Sequence, residues 1–163
     1  MIKNIKGNIL DANEDIICHQ VNCQKVMNAD LAKQIRNKYP NVYKEYVDLI
    51  NWAKEEYKRG YSKKESLLGS IQFVECSDGK IVANLFGQDR YGRDKQYTDY
   101  EALEKCLYSL YESVTWENNK LKGKSIAIPY GIGCGLGGGD WNTVYGIIEK
   151  IFSDYDVSIY KLK

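Results

Sequence analysis

The stretch Ile-Ala-Ile-Pro-Tyr-Gly-Ile-Gly-Cys-Gly-Leu-Gly-Gly-Gly-Asp-Trp, residues 126–141, restricts what this chain can fold into more than any other segment. Six of the fourteen glycines fall between Gly131 and Gly139, directly after an apolar run and directly before a helical pattern. Without side chains a backbone can approach an anion closely, and N–H groups in the loop and at the following helix N-terminus can point at its charge. Ile132, Cys134 and Leu136 interleave the glycines and would anchor the loop, which argues for an anion cradle over a loose linker.

A chain of 163 residues fits one domain, 1–163, with a core of its own. A formal net charge of +1 argues against nucleic acid as a sequence-specific partner and against a membrane surface. No apolar run reaches spanning length, and a cytoplasmic protein is the expected setting. The five cysteines at 18, 23, 76, 106 and 134 form no Cys-x-x-Cys pair, and the chain has one histidine. That pattern supports neither a disulfide framework nor a zinc site, so no metal and no cofactor are expected.

Read in order, residues 1–5 form a strand, 6–10 a second short strand ending in a turn, and 15–21 an apolar strand short enough to be buried. The polar loop 22–30 hands over to a helix starting near Leu31, which Tyr39-Pro40 closes because proline disfavours helical backbone in the preceding residue. Asn41 is placed to cap a second helix carrying Val42, Tyr46, Leu49, Ile50, Ala53 and Tyr57. Residues 70–75 and 80–85 read as a hairpin around Ser77-Asp78-Gly79, and 87–97 as a loop. Thr98 and Glu101 match a capping box for a helix with Leu103, Cys106, Leu107 and Leu110 on one face. Asp140 is placed to cap a last helix with Val144, Ile147, Ile148 and Ile151 buried, and 157–162 closes the chain as a strand.

Strands alternating with helices predict a three-layer α/β/α sandwich around a mixed, mostly parallel central sheet. Two strand-loop-helix junctions, 21–31 and 129–141, stand out. In such folds a ligand sits beyond the carboxyl ends of the strands, where two loops can hold one diphosphate between them.

Four segments in order resemble a known family: Lys-Gly-Asn-Ile-Leu at 6–10, His-Gln-Val-Asn-Cys-Gln at 19–24, Leu-Ala-Lys-Gln-Ile-Arg-Asn-Lys-Tyr-Pro at 31–40, and the glycine loop with its flanks. Together they look like a macrodomain over nearly the full chain. The likeness is greatest to the branch with the fungal ADP-ribose 1''-phosphate phosphatase and the terminal ADP-ribose protein glycohydrolase. The resemblance implies a pocket for ADP-ribose or a derivative, in free form or attached to a macromolecule. It puts Asn8 beside the adenine amino group, where most relatives have aspartate, and offers the Ile9 backbone next to it. It runs Asn22, Met27, Asn28, Ala29, Asp30 and Leu31 along the distal ribose, and closes Gly131, Ile132, Gly133, Cys134, Gly135, Leu136 and Gly137 over the diphosphate. Tyr130, Tyr91 and Tyr97 are candidates to flank the rings.

The chain also departs from that pattern. Where relatives carry small residues in the first loop, it has Asn28-Ala29-Asp30, so Asp30 reads either as a cap or solvated residue or as a catalytic carboxylate. The lysine and aspartate of the glycohydrolases are missing: Gly137 stands at the aspartate position, and the lysine region aligns loosely with Gln88. Catalytic candidates are therefore His19, able to move a proton near neutral pH, Asn22, able to orient water, and Asp30. His19 can equally be a core histidine and Asn22 a loop-holding residue. The resemblance favours removal of a 1''-phosphate, with a non-catalytic ADP-ribose reader or nucleotide-sequestering module as the alternative, and a protein-interaction domain with a degenerate pocket as a third reading if Asn28 and Asp30 block the ligand.

Overall fold

The structure is a computed structural model that describes residues 1–163. In chain order its elements are β1 (Ile2–Lys6), β2 (Ile16–Val21), α1 (Asp30–Lys38), α2 (Pro40–Lys58), β3 (Ile71–Glu75), β4 (Ile81–Phe86), α3 (Tyr100–Thr115), β5 (Ile126–Pro129), α4 (Trp141–Ile151) and β6 (Val157–Lys161). The six strands form one sheet in the order β1-β6-β5-β2-β4-β3. Every neighbouring pair is parallel except β3 with β4, the hairpin read from Ser77-Asp78-Gly79. The mixed, mostly parallel sheet expected from the alternation of strands and helices is present.

Strand periodicity assigns the two faces. In β4, Ile81, Ala83 and Leu85 join α3 and α4 in one core with Leu103, Leu107, Leu110, Val144 and Ile148. The intervening Val82 and Phe86 join α1 and α2 in a second core with Ile35, Val42, Tyr46 and Ile50. All six β4 residues are buried, because helices cover both sides of the strand. The helices supply the matching stripes at three- and four-residue spacing, and each fully buried Leu, Ile or Val side chain contributes about 2 kcal/mol of apolar transfer. No helix is long and apolar enough to cross a membrane.

Three local readings need correction. Residues 6–10 do not continue as a strand: β1 ends at Lys6 and a short 3-10 turn covers Ile9–Asp11. Asn8 caps that turn, its Oδ1 accepting from the Leu10 N–H at 3.0 Å, which satisfies a donor that a strand would have needed a neighbour to pair. Asn41 does not cap α2. Pro40 occupies the first turn, where its missing N–H costs nothing, and Asn41 donates instead to the Glu75 carbonyl. Thr98 does not cap α3 either, since Asp99 accepts from the Ala102 N–H. Asp140 does cap α4, through the Thr143 N–H at 3.0 Å.

Candidate functional site

β2 and β5 are adjacent parallel strands, so the loops following them leave the same end of the sheet side by side. The first, residues 22–29, leads into α1, and the second, residues 130–140, leads into α4. They meet at Asp30 and Gly135: a Cβ on Gly135 would stand 3.7 Å from Asp30 Oδ2.

Helix α1 opens with no side-chain cap. The N–H groups of Asp30, Leu31 and Ala32 donate to no acceptor within the chain, and those of Gly135, Leu136 and Gly137 in the facing loop likewise find none. Each loop thus carries a short run of unspent backbone donors beside the place where the two meet, one of them at the positive end of a helix. An anion placed there would satisfy donors on both sides.

The first loop is held from within. Asn22 Oδ1 accepts from the Gln24 N–H at 2.9 Å and from the Tyr46 hydroxyl at 2.8 Å, while its Nδ2 donates to the Val26 carbonyl at 2.9 Å. The amide is engaged at both ends in shaping the loop. Met27 is buried in the core beneath, and Asn28 is exposed and accepts from Arg36. Asp30 is exposed and has φ of +51°, a left-handed conformation that favours glycine. Leu31 packs beside Ile9 on the small core of Ile9, Ala12, Ile17 and Ala127, so the start of α1 and the Asn8 turn share one wall.

The second loop needs its glycines for two separate reasons. Gly131, Gly133 and Gly138 have φ near +75°. Gly137 is required by space, since a Cβ there would lie 2.4 Å from Thr98 Oγ1 and 2.8 Å from the Gly133 carbonyl. Ile132 is buried, Cys134 half-buried and Leu136 exposed, so the interleaved apolar residues anchor one end of the loop only. Burial raises the Cys134 thiol to about 11 and pushes Cys23 upward too, which leaves neither as a thiolate nucleophile.

His19 lies away from this gap's solvent. It is 2 % exposed, and its ring meets Asn84 on the paired strand. Asn84 Nδ2 donates to Gln72 Oε1, so Asn84 Oδ1 is the acceptor and His19 Nε2 carries the proton. Nδ1 is buried without a partner. Desolvation outweighs the bond to Asn84 and lowers the imidazole to about 4, so the ring stays neutral through the neutral range.

Sequence reading gives Gln20, Gln88 and Thr98 no role in the site. Gln20 Nε2 donates to Gln88 Oε1 at 2.7 Å and to Thr98 Oγ1 at 2.8 Å, and Thr98 Oγ1 donates to the Gly133 carbonyl at 2.6 Å. The partners in these three bonds are 35 to 78 positions apart in the chain, so no local pattern links them.

Residues 18–148 match the Macro domain family model. The chain belongs to the macro domain family. Three relatives cover almost all of this macrodomain. An uncharacterized 17.5 kDa protein from the tk-vs intergenic region of Enterobacteria phage T4 is 27% identical over 161 residues, 98% of this chain and 95% of that one. The ADP-ribose 1''-phosphate phosphatase of Saccharomyces cerevisiae is 25% identical over 99% of this chain and 98% of that one. A DNA ADP-ribosyl transferase-DNA ADP-ribosyl glycohydrolase fusion protein of Thermosipho africanus is 24% identical over 95% of this chain, which spans 40% of the fusion. The solved structure of Thermosipho africanus DarTG in complex with ADP-ribose superposes with a TM-score of 0.71 at 19% identity, covering 98% of this chain and 41% of that one. This last likeness establishes the fold.

Proposed function

We propose that this macrodomain binds ADP-ribose or a close derivative in the gap between its two loops and hydrolyses a substituent on the distal ribose, a 1''-phosphate being the favoured one. The observation that carries the reading is the two runs of unpartnered N–H groups at residues 30–32 and 135–137, on loops that meet at Asp30 and Gly135. A diphosphate has two charged groups and can take donors from both sides, which lets a nearly neutral chain bind it without an arginine cluster. The names of the yeast and Thermosipho relatives support the same ligand class.

In this reading the Asn8 turn and the Ile9 wall receive the adenine side, Met27 through Leu31 run along the distal ribose, and Gly131 through Gly137 close over the diphosphate. Asn8 Oδ1 retains a second lone pair after accepting from Leu10, so it can still accept from an exocyclic amine. Asp30 is the catalytic candidate at the gap itself. Its carboxylate takes a proton from water as the water oxygen bonds to phosphorus and the bridging P–O bond breaks, and that proton passes to the departing ribose oxygen, yielding ADP-ribose and inorganic phosphate. His19 and Asn22 act as positioning residues, His19 by tying the end of β2 to β4 and Asn22 by holding the first loop.

The reader alternative is favoured by one observation: of the three catalytic candidates from sequence, His19 is buried with its Nε2 bonded to Asn84, and Asn22 spends both ends of its amide on the protein itself. Phosphate release from ADP-ribose 1''-phosphate separates the two. Turnover lost in Asp30→Asn, with ADP-ribose still bound, supports the enzyme; binding with no turnover in the unmutated protein leaves the reader.

A further inference from the structure

Thr98 bonds the second loop at two points, Gly133 and Gly137. Its hydroxyl donates to the Gly133 carbonyl at 2.6 Å, and its N–H donates to the Gly137 carbonyl at 2.9 Å, an acceptor shared with the Tyr97 N–H. The same Gly133 carbonyl accepts from the Gly139 N–H at 2.9 Å, and Gly135 O accepts from Gly138 N at 3.0 Å. The carbonyls at 133, 135 and 137 are therefore all tied back within the protein, while the N–H groups of Gly135, Leu136 and Gly137 remain unspent. The Thr98 side chain is buried, and the two glycines that face it leave no room for a Cβ of their own at 137 and little at 133.

Below Thr98 lies Gln20, at the end of β2. Gln20 Nε2 donates to Thr98 Oγ1, so the hydroxyl must accept from Gln20 and donate to Gly133 at once. A hydroxyl can do both, whereas a methyl group of the same size can do neither. The second donor of Gln20 Nε2 reaches Gln88, whose strand bridge to Thr98 completes the ring.

We propose that Thr98, set by Gln20, is the positioning residue that holds the second loop open as a row of anion-facing N–H groups. The inference rests on the ADP-ribose reading for its ligand, but the clamp itself is a property of the free protein. It makes the loop's binding shape depend on the sheet beneath it rather than on the glycines alone.

The test uses Thr98→Val and Thr98→Ser in the whole chain, with Gln20→Leu as a second route to the same break. Steady-state 15N–1H NOEs are read for residues 133–139 without ligand, and affinities for ADP-ribose and adenosine by titration. The expected result is lowered NOEs across the loop in Thr98→Val, restored in Thr98→Ser. ADP-ribose affinity falls roughly tenfold in Thr98→Val, less in Gln20→Leu, and returns to within about twofold of the unmutated protein in Thr98→Ser. Adenosine, which lacks the diphosphate, should bind Thr98→Val and the unmutated protein alike. Unchanged NOEs in both Thr98→Val and Gln20→Leu overturn the clamp whatever the ligand. Lowered NOEs with ADP-ribose affinity unchanged overturn its role in binding. No binding of ADP-ribose by the unmutated protein overturns instead the ligand reading on which the proposal rests.

Discussion

His19 and Asn84 stand directly opposite each other on β2 and β4, with Nε2 of the imidazole 2.5 Å from Oδ1 of the amide. Burial holds the ring neutral in the fold down to about pH 4, whereas an unfolded histidine titrates near 6.5. The unfolded chain therefore binds the extra proton first. His19 contributes its full stability above pH 6.5 and loses it as pH falls from about 6.5 toward 4, at about 1.4 kcal/mol per pH unit. Urea unfolding at pH 7.5 and pH 5.0 should differ by about 2 kcal/mol from this group, and His19→Gln should flatten that difference. Asp15, Glu14 and Asp78 have lowered carboxyl values, so their losses come at more acid pH.

Asp30 combines a left-handed backbone with a carboxylate facing Gly135. Replacing it by glycine relieves the backbone and removes the negative charge from the gap. Asp30→Gly should raise stability by about 1 kcal/mol, roughly 3 °C in Tm, and tighten ADP-ribose binding by about fivefold. Hydrolysis of ADP-ribose 1''-phosphate should fall by about a hundredfold or more. Tighter binding with slower turnover is the signature of a catalytic carboxylate; unchanged affinity and turnover would remove Asp30 from the site.

The glycines of the second loop should divide by position. Gly137→Ala puts a methyl group 2.4 Å from Thr98 Oγ1 and should cost about 1–3 kcal/mol and at least about tenfold in ligand affinity. Gly135 has ordinary φ and contact distance, so Gly135→Ala should stay within about 0.5 kcal/mol of the parent. Chemical denaturation and titration of the two variants side by side measure this.

Asn22 is a loop-shaping residue by its bonds to Gln24, Val26 and Tyr46. Asn22→Ala should destabilise by about 2 kcal/mol and leave the Tyr46 hydroxyl with its bonds to the Asn22 carbonyl and the Val26 N–H, a change that would speed amide exchange in residues 22–29. If the loop keeps its protection, Asn22 is not its staple.

Much of the fold was legible because it rests on short-range patterns. The hairpin at Ser77-Asp78-Gly79, the break at Tyr39-Pro40 and the Asp140 cap each follow from neighbouring residues. Caps were harder where two candidates lay side by side: Asp99 took the role read for Thr98 because the Thr98 hydroxyl was already committed to Gly133. Asn8 was read as part of a strand, although its own side chain stops one by capping the turn at Ile9. The Gln20–Thr98–Gly133 chain could not be read at all, since it joins three separate elements through contacts that only the closed sheet creates. His19 shows the same limit: its partner Asn84, itself held by Gln72, lies on β4, two strands further along the chain.

The central claim, that the unpartnered N–H groups of residues 30–32 and 135–137 form a diphosphate site, is tested most directly by titrating the protein with ADP-ribose in a calorimeter. The account predicts saturable one-to-one heat that Gly137→Ala weakens by at least about tenfold. Absence of saturable binding by the unmutated protein, or equal affinity in the Gly137→Ala variant, would contradict it.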